Sequence, residues 1–236
     1  MRLQVFLSRS RVCSRRKALK LVEEGQVRVG ADIITEPSYD VDPANADVYL
    51  GSKRIGLREN IYLVLNKPRG FVTTLQDRHA ERIVTELLPA AFRHLYPVGR
   101  LDKDSEGLLL FTNDGDLTYR LLHPKFKVDK VYLVEARGRI KPPDVSRLRK
   151  GIFIERKRTL PALVNIINVS GNRTVLKISI HEGRKRQIRL MLAALGYPVL
   201  KLKRIQYGPV RLDGLKPGKW RLLNKEEISL LSKADK

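Results

Sequence analysis

Four consecutive apolar residues, Leu108-Leu109-Leu110-Phe111, follow directly on a polar loop bracketed by two glycines, Gly99-Arg100-Leu101-Asp102-Lys103-Asp104-Ser105-Glu106-Gly107. The run is far too short to span a bilayer, and with no polar position inside it the run reads as a buried strand. Whatever fold buries this strand also fixes the loop at its N-terminal end. That loop presents Asp102 between Arg100 and Lys103. Flanking cations keep a carboxylate ionised and partial desolvation sharpens it, which are the conditions for a nucleophile. A solvated acidic turn ahead of a strand has the same spacing, and spacing alone leaves both readings open.

The charge balance narrows the partners. Lys and Arg number 47 against 25 acidic residues, a formal +22 over 236 residues, which favours a polyanion and first of all nucleic acid. A hydrophobic content of 42% is enough for a core in one medium domain plus a small one. No apolar stretch reaches the roughly 20 residues of a membrane span and no apolar signal core follows Met1, so a cytoplasmic protein without membrane attachment is expected. The single cysteine, Cys13, permits no internal disulfide. His79, His94, His123 and His181 are scattered without ligand spacing, and no metal is expected.

The first segment reads as two helices and a small sheet. Leu3, Phe6 and Leu7 fall at helical spacing; Ser14 then caps a second helix with Ala18, Leu21 and Val22 as its apolar stripe, and Gly25 ends it. Arg15, Arg16, Lys17 and Lys20 crowd the first turns of that helix, against its macrodipole. A phosphate backbone placed there would relieve them; a solvated basic face is the alternative. Gln26–Gly30 and Asp47–Leu50 read as strands, and Gly51–Gly56 as a linker, with a second domain starting near Glu59: domains 1–58 and 59–236.

In the second segment Tyr62–Leu65 is a strand ended by Asn66-Lys67-Pro68-Arg69-Gly70, and Val72–Thr74 is a second β-prone piece. Lys67 and Arg69 sit on a turn that is either solvated or guides RNA. Ile83, Leu87 and Leu88 mark a short helix stopped by Pro89. Asp114 or Asp116 caps a helix carrying Leu117, Leu121 and Leu122. Lys130–Ala136 alternates as a strand, with Tyr132 on the face of Val134; by itself Tyr132 is as ordinary as any core tyrosine. A Pro142–Lys150 helix leads to a strand pair, Phe153-Ile154 with Leu163–Ile166, and Val175–Ile180 is a further strand. Ile188, Met191, Leu192 and Leu195 then lie at i, i+3, i+4 and i+7. Arg189 falls at the edge of that stripe, within reach of a partly desolvated carboxylate. Tyr197–Ile205 is a basic strand, Trp220 closes the core, and Asn224 with Glu227 forms a capping box for the last helix.

Two resemblances give these pieces a context. Ser14-Arg15-Arg16 followed by Glu24-Gly25-Gln26-Val27-Arg28-Val29 resembles the S-four-type RNA-binding domain, with Gly30-Ala31 where Asn-Gly is usual. Gly99-Arg100-Leu101-Asp102 with Gly107–Gly115 resembles the catalytic motif of the RsuA-like pseudouridine synthases, and the likeness extends over nearly the whole chain. It implies an α+β protein: a small N-terminal α/β RNA-binding domain, then a catalytic domain on a mixed, mainly antiparallel sheet flanked by helices. It also implies uridine isomerisation in ribosomal RNA without a cofactor; because a paired uridine is out of reach, the target base is expected to be flipped, and a monomer is expected. Asp102 is then the catalytic residue and Asp104 has no chemical role. Tyr132, in Lys130-Val131-Tyr132, lies beside the base. Arg189, ending Glu182-Gly183-x-x-x-Gln187-Ile188-Arg189, pairs with Asp102. RNA contacts are assigned to Arg9, Ser14, Arg15, Arg16, Lys17, Lys67, Arg100, Lys130, Arg184, Arg186 and Gln187.

Two other function classes compete. A non-catalytic RNA-binding factor for ribosome assembly accounts for the charge but not for Asp102, Tyr132 and Arg189 in three separated motifs. Metal-dependent phosphoryl chemistry on Asp102 and Asp104 lacks an accompanying ligand cluster.

Overall fold

The computed structural model describes residues 1–10, 12–76 and 81–233; His79 lies outside them. The chain forms two compact units, Met1–Asn60 with Asn113–Gly115, and Ile61–Thr112 with Asp116–Lys236. Residues Asn113–Gly115 group with the first unit because Asn113 Nδ2 donates to Glu59 O at 3.0 Å and Asn60 Nδ2 to Asp114 Oδ2 at 3.1 Å.

In the first unit, helices α1 (Leu3–Arg9) and α2 (Arg15–Glu23) are followed by four short strands, β1 (Val27–Val29), β2 (Asp32–Ile34), β3 (Val48–Leu50) and β4 (Lys53–Ile55). The strands form an antiparallel sheet in the order β2-β1-β3-β4. Leu3, Phe6 and Leu7 of α1 and Ala18 and Val22 of α2 bury their side chains with Val27, Ile34, Val48 and Ile55. Each large aliphatic buried there contributes about 1.5–3 kcal/mol. Ser14 Oγ accepts from Lys17 N at 3.3 Å, capping α2, and Gly25 follows its end at φ +66°. The segment expected as a linker, Gly51–Gly56, is instead the turn and second strand of the β3–β4 hairpin. Lys53 and Arg54 are exposed and only Ile55 is buried, a single apolar anchor that a glycine- and lysine-rich composition conceals.

The second unit is built on β5 (Tyr62–Lys67), β6 (Tyr96–Pro97), β7 (Glu106–Thr112), β8 (Lys130–Arg137), β9 (Phe153–Ile154), β10 (Lys157–Arg158), β11 (Leu163–Ser170), β12 (Arg173–Ile180), β13 (Val199–Tyr207), β14 (Val210–Arg211) and β15 (Trp220–Leu222). Its helices are α3 (Gly115–Leu122, which starts at the junction), α4 (Pro142–Lys150), α5 (Gln187–Ala193) and α6 (Lys225–Lys233). Seven strands run in the order β11-β12-β8-β13-β7-β5-β15, with β14 added to β13 and β6 to β7. All pairings are antiparallel except β13 with β7. The fold is therefore α+β on a mixed, mainly antiparallel sheet.

Both faces of the central strands are covered. On one, Leu63, Leu65, Leu109, Phe111, Tyr132 and Val134 pack with Val145 and Leu148 of α4 and Ile188, Met191 and Leu192 of α5. On the other, Val64, Leu108 and Leu110 pack with Leu117 and Leu121 of α3 and Leu231 of α6. The run Leu108–Phe111 is thus apolar at every position because alternate residues serve opposite cores. Three local expectations are corrected. Phe153-Ile154 pairs with β10, not with Leu163–Ile166, which belongs to the sheet's edge strand β11. Val72–Thr74 forms only a single parallel bridge, Val72 to Ile83. Trp220 is half-buried on the opposite edge, edge-to-face with Phe92 at 5.2 Å, and packs against the core from its margin rather than from within it. Along β11, Leu163, Ile166, Ile167 and Val169 are exposed and a bulge interrupts its register between Ile166 and Asn168.

The parallel seam between β7 and β13 joins the two halves of the sheet through Glu106–Lys203 and Gly107–Arg204. Gly107 has φ +106°, and a Cβ there would stand 2.2 Å from Arg204 O. Gly107→Ala is expected to cost on the order of 3 kcal/mol or more, about 6–12 °C in Tm for a chain of this size. Gly171→Ala, at φ +53° with nothing within 4 Å of the added Cβ, carries only the conformational term of about 1 kcal/mol. Thermal melts of the two variants check this; equal losses would place the whole cost in the backbone angle and none in the seam.

Candidate active site

The loop from Gly99 to Ser105 is held from below by the turn that ends β5. Lys67 is fully buried, and its ammonium donates to Ser105 O at 2.7 Å, Asp102 O at 3.0 Å and Pro68 O at 3.2 Å. Gly70 N donates to Lys103 O at 2.8 Å. Thr73 grips Leu101 at both ends, its Oγ1 donating to Leu101 O at 2.7 Å and accepting from Leu101 N at 3.2 Å. The Asn-Lys-Pro-x-Gly turn is therefore a clamp on the loop. Lys67, expected on a surface turn facing RNA, is corrected accordingly: its three donors are consumed by carbonyls and none is left for a phosphate. Burial lowers its pKa from the ordinary lysine value to about 8, although the nearby Asp102, Asp104 and Glu106 pull the other way.

Above the clamp lies a cavity of about 250 Å³ lined by the loop (Gly99, Arg100, Leu101, Asp102, Ser105), by Lys130 and Tyr132 of β8, by Leu202, Arg204 and Tyr207 of β13, and by Ile180 and residues Gly183–Ile188. Asp102 is half-buried on its wall and Tyr132, 8% exposed, stands across β8. These two expected residues share one cavity. Arg100 is exposed at the rim.

Arg189 lies behind the loop and does not line the cavity. Its Nε is 3.3 Å from Asp104 Oδ2, and its Nη2 donates to Asp104 O at 3.0 Å and to Ser105 Oγ at 3.4 Å. The expected pairing with Asp102 is thus replaced by an ion pair with Asp104. The two carboxylates are two residues apart on one turn, and the one facing α5 is Asp104. Burial draws the Arg189 guanidinium pKa down; Asp104 opposes this most, and Asp102 adds a weaker pull in the same sense. Arg186, exposed, also reaches Asp104, with Nη2 at 3.3 Å from Oδ2.

Other expected RNA contacts separate by burial. Arg15, Arg16 and Lys17 are exposed on α2 beside the Ser14 cap, and Arg9 is half-buried at the end of α1. Gln187, only 3% exposed, is corrected to a brace: its Nε2 donates to Glu182 Oε1 at 2.6 Å and its Oε1 accepts from Arg184 N at 3.1 Å. Arg184 is tied to the β9–β10 hairpin through Ile154 O at 2.8 Å and Lys157 O at 3.1 Å. Lys130 is 7% exposed and forms cavity floor rather than surface.

Sequence reasoning missed Arg204 and Tyr207, which are 2% and 0% exposed. A strand read as basic reads as solvated. The available signal was period two, since Leu202 and Arg204 share the buried parity; the bulge between Arg204 and Gln206 then turns Tyr207 inward.

Comparison with known proteins agrees with this architecture. Residues 61–194 match the family model for RNA pseudouridylate synthase, and residues 1–47 match the S4 domain. An uncharacterized RNA pseudouridine synthase of Aquifex aeolicus is 39% identical, covering 99% of this chain and 94% of its own. The ribosomal large subunit pseudouridine synthase B of Bacillus subtilis is 37% identical, covering 98% and 95%. A pseudouridylate synthase crystal structure superposes with a TM-score of 0.71 at 29% identity, covering 98% of this chain and 99% of that one.

The Lys67 clamp makes a pH-dependent prediction. The folded state gives up the Lys67 proton near pH 8, whereas the unfolded chain keeps it to the ordinary lysine value. Between these limits the unfolded chain binds more protons, so this residue's contribution to stability rises with pH. Urea midpoints at pH 7.5 and 9.5 should show Lys67→Met losing that gain relative to wild type. A parallel shift of both proteins over the interval would contradict it.

Proposed function

Because the chain belongs to the RNA pseudouridylate synthase family, we propose that it isomerises a specific uridine of ribosomal RNA, with Asp102 as the reacting carboxylate, acting as a monomer in the cytoplasm. The observation that carries the residue assignment is the loop clamp: Lys67, Gly70 and Thr73 make five hydrogen bonds to the backbone of residues Leu101–Ser105, on a loop whose Asp102 lines the cavity. Preorganisation of this kind serves a reacting group, which must be held to a fraction of an ångström.

In this reading the target uridine leaves its helix and enters the cavity, at a cost of a few kcal/mol offset by basic contacts. Tyr132 packs against the ring. Asp102 faces the ribose and either adds to C1′ or removes the C2′ proton, so that the C1′–N1 bond breaks. The ring turns within the cavity and C5 bonds to C1′ as the Asp102–C1′ bond breaks or as C2′ regains its proton from Asp102; the C5 proton is then lost to a base and N1 takes up a proton, so that the product is an isomer of the substrate. Arg189 acts through Asp104 and the Asp104–Ser105 backbone, holding the far side of the loop. Exposed Arg15, Arg16 and Lys17, with Arg100 and Arg186 at the rim, supply phosphate contacts. The ribosomal substrate is supported by what the Bacillus subtilis relative is named for.

Asp102→Asn keeps size and most hydrogen bonding but removes the reacting charge. Turnover on ribosomal RNA fragments should fall by at least about 10⁴-fold while RNA Kd stays within about twofold. Asp104→Asn weakens the Arg186 and Arg189 contacts and should cost roughly 10-fold, through loop placement. Pseudouridine formation and filter binding measured side by side decide the matter, and a dead Asp104→Asn with an active Asp102→Asn would reverse the assignment. Independently, RNA affinity should fall steeply between 50 and 200 mM salt, by about 10³-fold or more if six or more phosphates are contacted. A flat response would remove the electrostatic argument.

A further inference from the structure

The cavity floor holds two cations that the scheme above does not use. Arg204 is 2% exposed and Lys130 is 7% exposed, and both line the cavity that Asp102 also lines. They flank one buried ring: Arg204 Cζ lies 5.0 Å and Lys130 Nζ 5.2 Å from the centroid of Tyr207, whose hydroxyl donates to Leu121 O at 2.8 Å. Among the described residues, no carboxylate lies within ion-pair distance of either. Asp129, the one acid that bears on Lys130, is engaged by Ser179 Oγ at 2.8 Å and His181 Nδ1 at 3.1 Å.

Their hydrogen bonding is incomplete as well. Arg204 Nε donates to Leu108 O at 2.7 Å, which accounts for one edge of the guanidinium, but Nη2 is buried without a partner among the described residues. Lys130 Nζ has only long contacts, 3.4 Å to Val128 O and 3.4 Å to His181 O. Two buried cations beside one another, short of acceptors, are costly to fold. The cost becomes intelligible if a negative charge arrives or forms between them.

We propose that Arg204 and Lys130 are the anion-stabilising pair of the isomerisation, donating to a carbonyl oxygen of the pyrimidine as the ring leaves the ribose. This inference rests on the reading of the cavity as a uridine site. When the C1′–N1 bond breaks, its electron pair departs with the ring. The pair is delocalised from N1 onto O2 and O4, and no proton need be supplied. The ribose is made neutral at the same moment by Asp102, either through a new bond from its oxygen to C1′ or through removal of the C2′ proton to form C1′=C2′. The ring returns the electron pair when C5 bonds to C1′, as the Asp102–C1′ bond breaks with its pair going back to the carboxylate, or as the C1′=C2′ pair takes the proton back from Asp102 at C2′. Throughout, the ring is anionic, and a floor of two fixed cations in a water-poor cavity holds it without reorganisation. Burial and the neighbouring Arg204 both lower the Lys130 pKa, to about 8, and an anion between the two would raise it again.

The test is single-turnover consumption of the N-linked nucleoside in a ribosomal RNA fragment that the wild-type protein modifies, carrying uridine or 5-fluorouridine at the target. Electron-withdrawing fluorine stabilises the departing anion on its own, so the protein's cations matter less. Arg204→Gln, which retains a donor for Leu108 O, and Lys130→Met are each expected to slow uridine consumption by roughly 10²-fold or more, with RNA Kd within about twofold. On 5-fluorouridine their deficits should shrink at least several-fold, and Arg204→Lys should recover most of the uridine rate. If Arg204→Gln melts out, Lys130→Met carries the same comparison. Equal deficits on the two substrates, or weaker binding at an unchanged rate, would show the pair to be structural and overturn the proposal while leaving the Asp102 assignment intact. A wild-type protein that modifies no ribosomal fragment would overturn the proposed function, and this inference with it.

Discussion

The ammonium of Lys67 is the contact on which the site depends. It sits at full burial under the loop, and its three hydrogens go to three carbonyls, two of them those of Asp102 and Ser105. A charged group in such a place is expensive unless every donor is used. Here they are all used, on backbone. The loop is thus gripped chiefly by its backbone, the Asp104 side chain adding its contacts to Arg186 and Arg189, and the Asp102 carboxylate is left for other work.

The sheet supplies the rest of the geometry through one unusual pairing. β13 lies between β8, which carries Lys130 and Tyr132, and β7, which begins where the Asp102 loop ends. Its parallel contact with β7 requires a residue without a Cβ at position 107, and that close approach brings Arg204 Nε to Leu108 O. The same strand thus ties the loop-bearing half of the sheet to the tyrosine-bearing half and sets the cavity floor between them.

What could be read from the sequence follows the range of the interactions involved. The run Leu108–Phe111 was legible because it has no polar position to expose. Asn224 with Glu227 was legible because a capping box is local, and both its hydrogen bonds are present: Asn224 N to Glu227 Oε2 at 3.0 Å and Glu227 N to Asn224 Oδ1 at 2.8 Å. Lys67 was not, because a lysine beside proline and glycine looks solvated until the loop that covers it, 35 residues away, is placed. The partner of Arg189 was not legible either: spacing brings a cation to the loop but does not choose between Asp102 and Asp104. Arg204 was hidden among the exposed Lys201 and the half-buried Lys203, which give the strand its basic character.

The far edge of the same sheet poses a different physical problem. β11 turns Leu163, Ile166, Ile167 and Val169 toward solvent and has no strand on its outer side, the combination that lets one molecule's edge recruit another's, although Arg149 occupies Val164 O through Nε at 2.9 Å and Nη2 at 2.6 Å. The bulge between Ile166 and Asn168 breaks that row into two short pieces out of phase with each other. A straight strand laid along this margin could stay in register with one piece but not with both, so the irregularity works against edge-to-edge pairing there.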